Sequence, residues 1–361
     1  MFNNRLSFIK NPAGRLGLGA LLLTTLLLQA CGAKNEGNAA ASASSGSAAS
    51  SAAASASASA SASAAPATAD TTSLTYGFVG TKEPAGVEGW GFHTGIIQEE
   101  LKKYGVTDVK LVPFQTGPDL NESVIGGRVD VGSSGDTPAL LARSSGAKTR
   151  LVNFTNTEVN TILVGRKDGA QTVDELKGKT VAVVKGSLMY RFLVGYLAEK
   201  KLDKDVKVIN INSIPDTEAA LLRGEIDAYA ITSSYYSAYK LLQQGNPLLA
   251  QSKEIPSLLS VSVVYATEDY LGKFPGFQAV WTAALKKSYD DLKAKPDEYY
   301  QWLSDQTGTP VDVLKEIQPI ESLPAEALSE AGIGRIKASK DFLVAEKLAK
   351  KDFNIDEWIV R

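Results

Sequence analysis

The chain has 361 residues, 44% of them hydrophobic and 22% charged, with a formal net charge of −2. Such a balance leaves no concentrated basic face for nucleic acid. One cysteine, Cys31, and one histidine, His93, rule out an intrachain disulfide and a cysteine zinc site, and remove most metal and Ser-His-Asp arrangements.

The first segment reads as a targeting signal. Arg5, Lys10 and Arg15 precede the apolar stretch "LGLGALLLTTLLLQA", which falls short of the roughly 20 residues a spanning helix needs. It ends in "LLQAC", which resembles the lipobox of bacterial lipoproteins. That resemblance implies a signal peptide over 1–30, lipidation of Cys31 and a membrane anchor through it on the extracytoplasmic side. An uncleaved signal anchor or a cleaved secretory protein is the alternative. Residues 31–72 are Ala/Ser-rich without apolar periodicity and read as a flexible tether. Its reach is on the order of 35 Å.

From Leu74 onward, short β-type runs alternate with helical patterns. "LTYGFV" precedes "GIIQEELKKYG", "VKLVPF" precedes "DLNESVIGG", and "VDVGSS" precedes "PALLARSSG". The pattern restarts with "TVAVV", "VKVININ" and "IDAYAITSS", each followed by a helical stretch, and from about Phe274 the chain is mainly helical. This alternation predicts an α/β protein with largely parallel sheets. The stretches "VIGGRVDVGSS" and "LLRGEIDAYAITSS" repeat one unit. In each, a helix ends at glycine (Gly126, Gly224), then come a β-branched residue and aspartate, a strand, and Ser-Ser. The repeat predicts two lobes of similar construction.

In parallel α/β sheets ligands bind at the carboxyl ends of strands, where helix N-termini present free N–H groups. In "SSGDTP", Thr137 suits an N-cap and Pro138 the first helical position. Residues 133–137 therefore offer an anion site without a dedicated cation, with the hydroxyls of Ser133, Ser134 and Thr137 as added donors. "KGS" in the second lobe is the counterpart, with Ser187 as cap and Tyr190 and Arg191 about one turn in, facing either cleft or surface. Arg128 and Arg223 precede their strands, roughly 16 Å from the ligand end, and are excluded. Trp90 is expected to face the cleft. His93 is expected to pack beside Ile97 and Leu101. Lys82 and Glu88 are expected to be solvated, with reading the charged end of a zwitterionic ligand as their alternative.

Over Leu74–Leu242, the runs "FQTGPDLNESVIGGRVDVGSSGDTPALLARSSGA", "TVDELKGKTVAVVKGS", "IPDTEAALLRGEIDAYAI" and "YYSA" resemble the substrate-binding proteins of bacterial ABC importers for aliphatic sulfonates, taurine and nitrate. The alkanesulfonate-binding group is the most similar. The resemblance implies a two-lobed periplasmic-binding-protein fold of the second type, each lobe a mainly parallel sheet flanked by helices, with ligand in the cleft. It implies lobe 1 over 73–159 and 264–361 and lobe 2 over 160–263. It carries ligand-binding roles onto Gln115, Thr116, Gly117, Ser133, Ser134, Gly135, Thr137, Gly186 and Ser187. Family members place Trp-Asp-Pro before the paired tyrosines, where this chain has Thr232, Ser233 and Ser234 before Tyr235; Thr232, Ser233 and Tyr235 join the candidate set. The expected function is capture of a small organic anion, foremost an aliphatic sulfonate, by hinged closure of a monomer. Delivery to permease and ATPase subunits follows, without cofactor or nucleic acid. Nitrate, bicarbonate, a sulfate ester, an aromatic carboxylate or a thiamine-precursor pyrimidine are alternative ligands. A secreted enzyme or signalling ectodomain is a distant alternative: "SGAK" matches Ser-x-x-Lys without its companion motifs, and Gly132-Ser-Ser-Gly is not a nucleophile elbow.

Overall fold

The computed structural model describes residues 68–360. The expected signal peptide over 1–30, the expected lipidation at Cys31 and most of the expected tether over 31–72 lie outside the described residues. The strands are β1 (Ser73–Val79), β2 (Asp108–Phe114), β3 (Val131–Gly135), β4 (Thr149–Val159), β5 (Thr161–Gly165), β6 (Thr180–Val183), β7 (Lys207–Asn210), β8 (Ala228–Thr232), β9 (Leu248–Gln251) and β10 (Ser260–Thr267). The helices begin with α1 (Gly86–His93), α2 (Ile96–Lys102), α3 (Gly117–Ile125), α4 (Asp136–Ser144), α5 (Leu188–Glu199), α6 (Ile214–Arg223) and α7 (Tyr236–Gln243). Then follow α8 (Glu268–Lys273), α9 (Phe277–Ala294), α10 (Pro296–Thr307), α11 (Val311–Ile317), α12 (Glu330–Ala345) and α13 (Ile355–Trp358).

The strands form two five-stranded sheets, ordered β2-β1-β3-β10-β4 and β7-β6-β8-β5-β9. Each is mixed rather than mainly parallel: β1 pairs parallel with β2 and β3, and β6 with β7 and β8, while β10 and β5 pair antiparallel with both neighbours. The reason is topological. A strand arriving from the other lobe enters at the edge where the parallel strands end, so it must run against them. β5 starts opposite the end of β8 (Thr161 with Thr232), and β10 starts beside the end of β3 (Ser262 with Gly135). Only Asn160 separates β4 from β5, and β10 lies wholly in the first sheet from Ser260.

Burial follows the pleat in β1, where Leu74, Tyr76 and Phe78 are buried against α1, α2 and α9. Central strands β5 and β8 are buried at every residue, as sheets covered on both faces require. The repeated unit has a repeated job. Asp130 accepts from the Thr75 N–H (2.8 Å) and Asp227 from the Thr180 N–H (2.9 Å), each tying a strand to the start of its parallel neighbour. Gly224 caps α6 in the left-handed conformation (φ 75°), but at the end of α3 that conformation falls on Gly127 (φ 69°), not Gly126. "GIIQEELKKYG" continues no single helix from His93: α1 ends there and Gly95 (φ 80°) separates it from α2.

Candidate functional site

Three strand-to-helix turns meet where the lobes touch. At Gly117 a β-carbon would stand 2.6 Å from Pro138 Cγ and 3.6 Å from Ser134 Cβ, so the β2–α3 turn packs on the β3–α4 turn. At Gly135 a β-carbon would run into Leu188 of α5, and at Gly186 (φ 77°) it would meet Pro118 at 3.4 Å. Gln115, Thr116, Gly117, Ser134, Gly135, Gly186 and Ser187 thus lie at one junction between the lobes. Thr232, Ser233 and Tyr235 end β8, next to β6 in the second sheet. The Ser233 N–H donates to Asn160 O (2.9 Å), the Tyr235 side is 37% exposed, and Gln318 of the C-terminal layer donates to Ser234 O (3.0 Å).

The hydroxyls are largely spent inside the protein. Thr116 Oγ1 donates to Asp119 Oδ2 (2.6 Å) while capping α3. Ser187 Oγ donates to Val184 O (2.6 Å) while accepting from the Tyr190 N–H (3.2 Å). Thr137, expected as N-cap, lies within α4, fully buried, and donates to Asp136 Oδ1 (3.0 Å); Gly135 is the cap. One hydroxyl has one proton, so these three cannot also donate to a ligand in this arrangement. Several turn N–H groups are committed too: Ser187 N–H donates to Val184 O (3.3 Å) and Tyr235 N–H to Thr232 O (3.2 Å).

Asp136 was not foreseen. Its fully buried carboxylate accepts from the Thr137 N–H (2.5 Å), the Val261 N–H (3.3 Å) and Ser339 Oγ (2.7 Å), so the start of α4 already holds an anion of its own. Arg191, expected at cleft or surface, is also fully buried, 3.8 Å from Asp136. Its guanidinium donates to the carbonyls of Ser257 (3.3 Å), Leu258 (3.2 Å) and Leu259 (2.7 Å), and to Ser260 Oγ (2.9 Å). It therefore ties α5 of the second lobe, the returning crossover and α4 of the first lobe together.

The first loop departs from expectation in three places. Trp90 does not stand open to the cleft: it is 3% exposed among Leu292, Tyr299 and Trp302, and its Nε1 donates to Asp291 Oδ2 (2.8 Å). His93 is exposed, 3.7 Å from Glu83, with its ring 5.0 Å from that of Trp302. Lys82 is exposed as expected, but Glu88 is 3% exposed, and burial pushes its carboxyl up to about 7 despite a hydrogen bond from Asn153. Alternation of sequence could not find this, because α1 buries residues on every side. Among the described residues no cluster of three or more His, Cys, Asp or Glu is placed to hold a metal ion, and no helix is long and apolar enough to cross a membrane.

Comparison with known proteins agrees with this layout. The chain is 29% identical over 216 residues to an Escherichia coli (strain K12) protein named as aliphatic sulfonates-binding, covering 59% of this chain and 66%, just under two thirds, of that one. A Bacillus subtilis (strain 168) protein of the same name is 25% identical over 271 residues, 73% of this chain and 79% of that one. Among solved structures, the alkanesulfonate-binding protein SsuA from Xanthomonas axonopodis pv. citri bound to MOPS superposes with a TM-score of 0.68 at 25% identity, over 81% of this chain and 99% of that one. The two-sheet architecture is thus that of the periplasmic binding proteins. Residues 93–299 match the family described as NMT1/THI5 like, and the chain belongs to that family.

Proposed function

We propose that the protein is an extracytoplasmic solute-binding protein of an ABC importer that captures a small organic anion, an aliphatic sulfonate foremost, and passes it to a permease without catalysing a reaction. The observation that carries this reading is the match to alkanesulfonate-binding SsuA over nearly its whole length, together with the meeting of three helix-starting turns between the lobes. The ligand sits where the β2–α3, β3–α4 and β6–α5 turns converge, with the β8–α7 turn closing beside them. Gln115, Ser133, Ser134, Gly135, Gly186, Ser233 and Tyr235 are the proposed contacts. Helix N-termini suit a sulfonate because they supply donors and partial positive charge at no cost in side-chain entropy. Closure proceeds by rotation of the lobes about the two crossovers at Asn160 and Ser257–Ser260. Cys31 holds the protein to the membrane through a lipid.

A thermal-shift screen tests this directly. Butanesulfonate and its homologues raise the melting temperature through native-state binding, whereas nitrate, bicarbonate, aromatic carboxylates and aminopyrimidines do not. No shift with any sulfonate, beside a clear shift with one of the others, overturns the ligand class.

A further inference from the structure

A pocket of about 300 Å³ lies in the first lobe between α1, β4, α9 and the segment before α12. None of its lining residues belongs to the second sheet. Val87, Phe154, Leu285 and Pro324 give it apolar walls, and Glu88 is the buried acid among them. The only side-chain donor to that carboxyl among the described residues is Asn153 Nδ2, at 2.8 Å. Asn153 cannot turn away, because its Oδ1 accepts from Trp281 Nε1 (2.9 Å). Lys286 also lines the pocket, but its ammonium is paired with Asp290 at 2.7 Å and its side chain is 74% exposed. Glu326, exposed on the same lining, adds a second negative charge.

A buried carboxylate wants several donors, and this one has the Asn153 amide and its own backbone N–H, neither of them charged. An ammonium entering the pocket supplies the missing charge-assisted hydrogen bonds, and its carbon chain covers the apolar walls. We propose that this pocket binds a small aliphatic ammonium, with the Glu88 carboxylate as its counter-ion. The site does not depend on the sulfonate reading.

The test is calorimetric titration of the purified full chain at pH 8 with three probes: n-butylammonium, n-butanol and n-butanesulfonate. Butylammonium binds at one site and butanol does not. Glu88→Gln weakens butylammonium by at least about tenfold, the loss of one charge-assisted contact, and leaves butanesulfonate unchanged. Ala325→Trp, a surface-loop change that obstructs the pocket, has the same effect if the site is where we place it. Failure of butylammonium to bind, equal binding by Glu88→Gln, or equal binding of butanol overturns the proposal. Binding of butylammonium without binding of butanesulfonate supports the pocket while overturning the sulfonate assignment.

Discussion

Glu88→Gln also has a consequence for stability, with a sign fixed by its burial. The wild-type carboxyl titrates near 4.5 when unfolded and near 7 in the fold, because burial disfavours its charged form. Between those values the folded chain holds more protons than the unfolded one, so this group's contribution to stability falls as pH rises through the window. Below it the penalty vanishes, and above it the penalty is complete. At ~1.4 kcal/mol per pH unit the full penalty is about 3 kcal/mol. The groups facing Glu88 disturb the window little, and the charge of Glu326, exposed on the same lining, is screened by solvent. Burial drives the phenols of Tyr76 and Tyr299 upward, so both stay neutral, and Lys286 is committed to Asp290 in solvent. Gln keeps the shape and the Asn153 contact without the charge. Scanning calorimetry of both proteins from pH 4 to pH 8 should therefore show equal melting temperatures at the acid end. By pH 8 the variant should melt about 6 °C higher, at roughly 2 °C per kcal/mol for a chain of this size. A difference that is constant with pH, or that shrinks as pH rises, would refute the reasoning.

Gly135→Val places a side chain against Leu188 and should weaken sulfonate binding at least about tenfold by holding the lobes apart; Leu188→Ala in the same chain should restore it, as titration would show. Arg191→Leu leaves the Asp136 carboxylate buried without its cation and should cost ~3–5 kcal/mol in urea denaturation; adding Asp136→Asn should recover part of that loss, and full additivity would argue against the pair. Asp130→Ala and Asp227→Ala should each destabilise by about 1–2 kcal/mol, because both carboxylates accept from the N–H of a neighbouring strand; unequal costs would break the equivalence of the two units. Arg128→Ala should leave sulfonate affinity within about twofold, because its charge lies beyond a screening length from the ligand end and its Nη2 donates to Ser123 Oγ (3.1 Å) ahead of β3.

Much of the fold was legible because it is written in local rules. The helix–Gly–strand–Ser-Ser unit predicted two similar lobes, and Asp130 and Asp227 take equivalent places in the two sheets. The turns of Gly135 and Gly186 were legible as strand ends, and Gly117 only through the family resemblance. Strand direction was not. The antiparallel entry of β5 and β10 follows from which lobe each strand comes from, and periodicity says nothing of that. Nor does it separate a tryptophan open to a cleft from one packed against helices some 200 residues away, as Trp90 is against Asp291 and Trp302.

The fate of the hydroxyls carries a more general point about how such a cleft is built. Ser and Thr at the start of a helix are expected as ligand contacts, yet Thr116, Ser187 and Thr137 each give their one proton to protein. Capping and ligation compete for the same atom. A cap that turned to meet a ligand would leave a helix N–H or a strand carbonyl unpaired, at a cost of ~1–3 kcal/mol. Some main-chain N–H groups at the same turns are committed as well, that of Ser187 to Val184 O and that of Ser233 to Asn160 O, but an N–H has its direction set by the strand and helix that flank it. The hydroxyls therefore fix the shape of the turns, and the anion is left to the backbone they present. This division makes a distinct demand on the residues between the caps. Gly117, Gly135 and Gly186 must stay without side chains so that the turns can approach one another. Ligand affinity should then be more sensitive to added bulk at these glycines than to removal of any single capping hydroxyl.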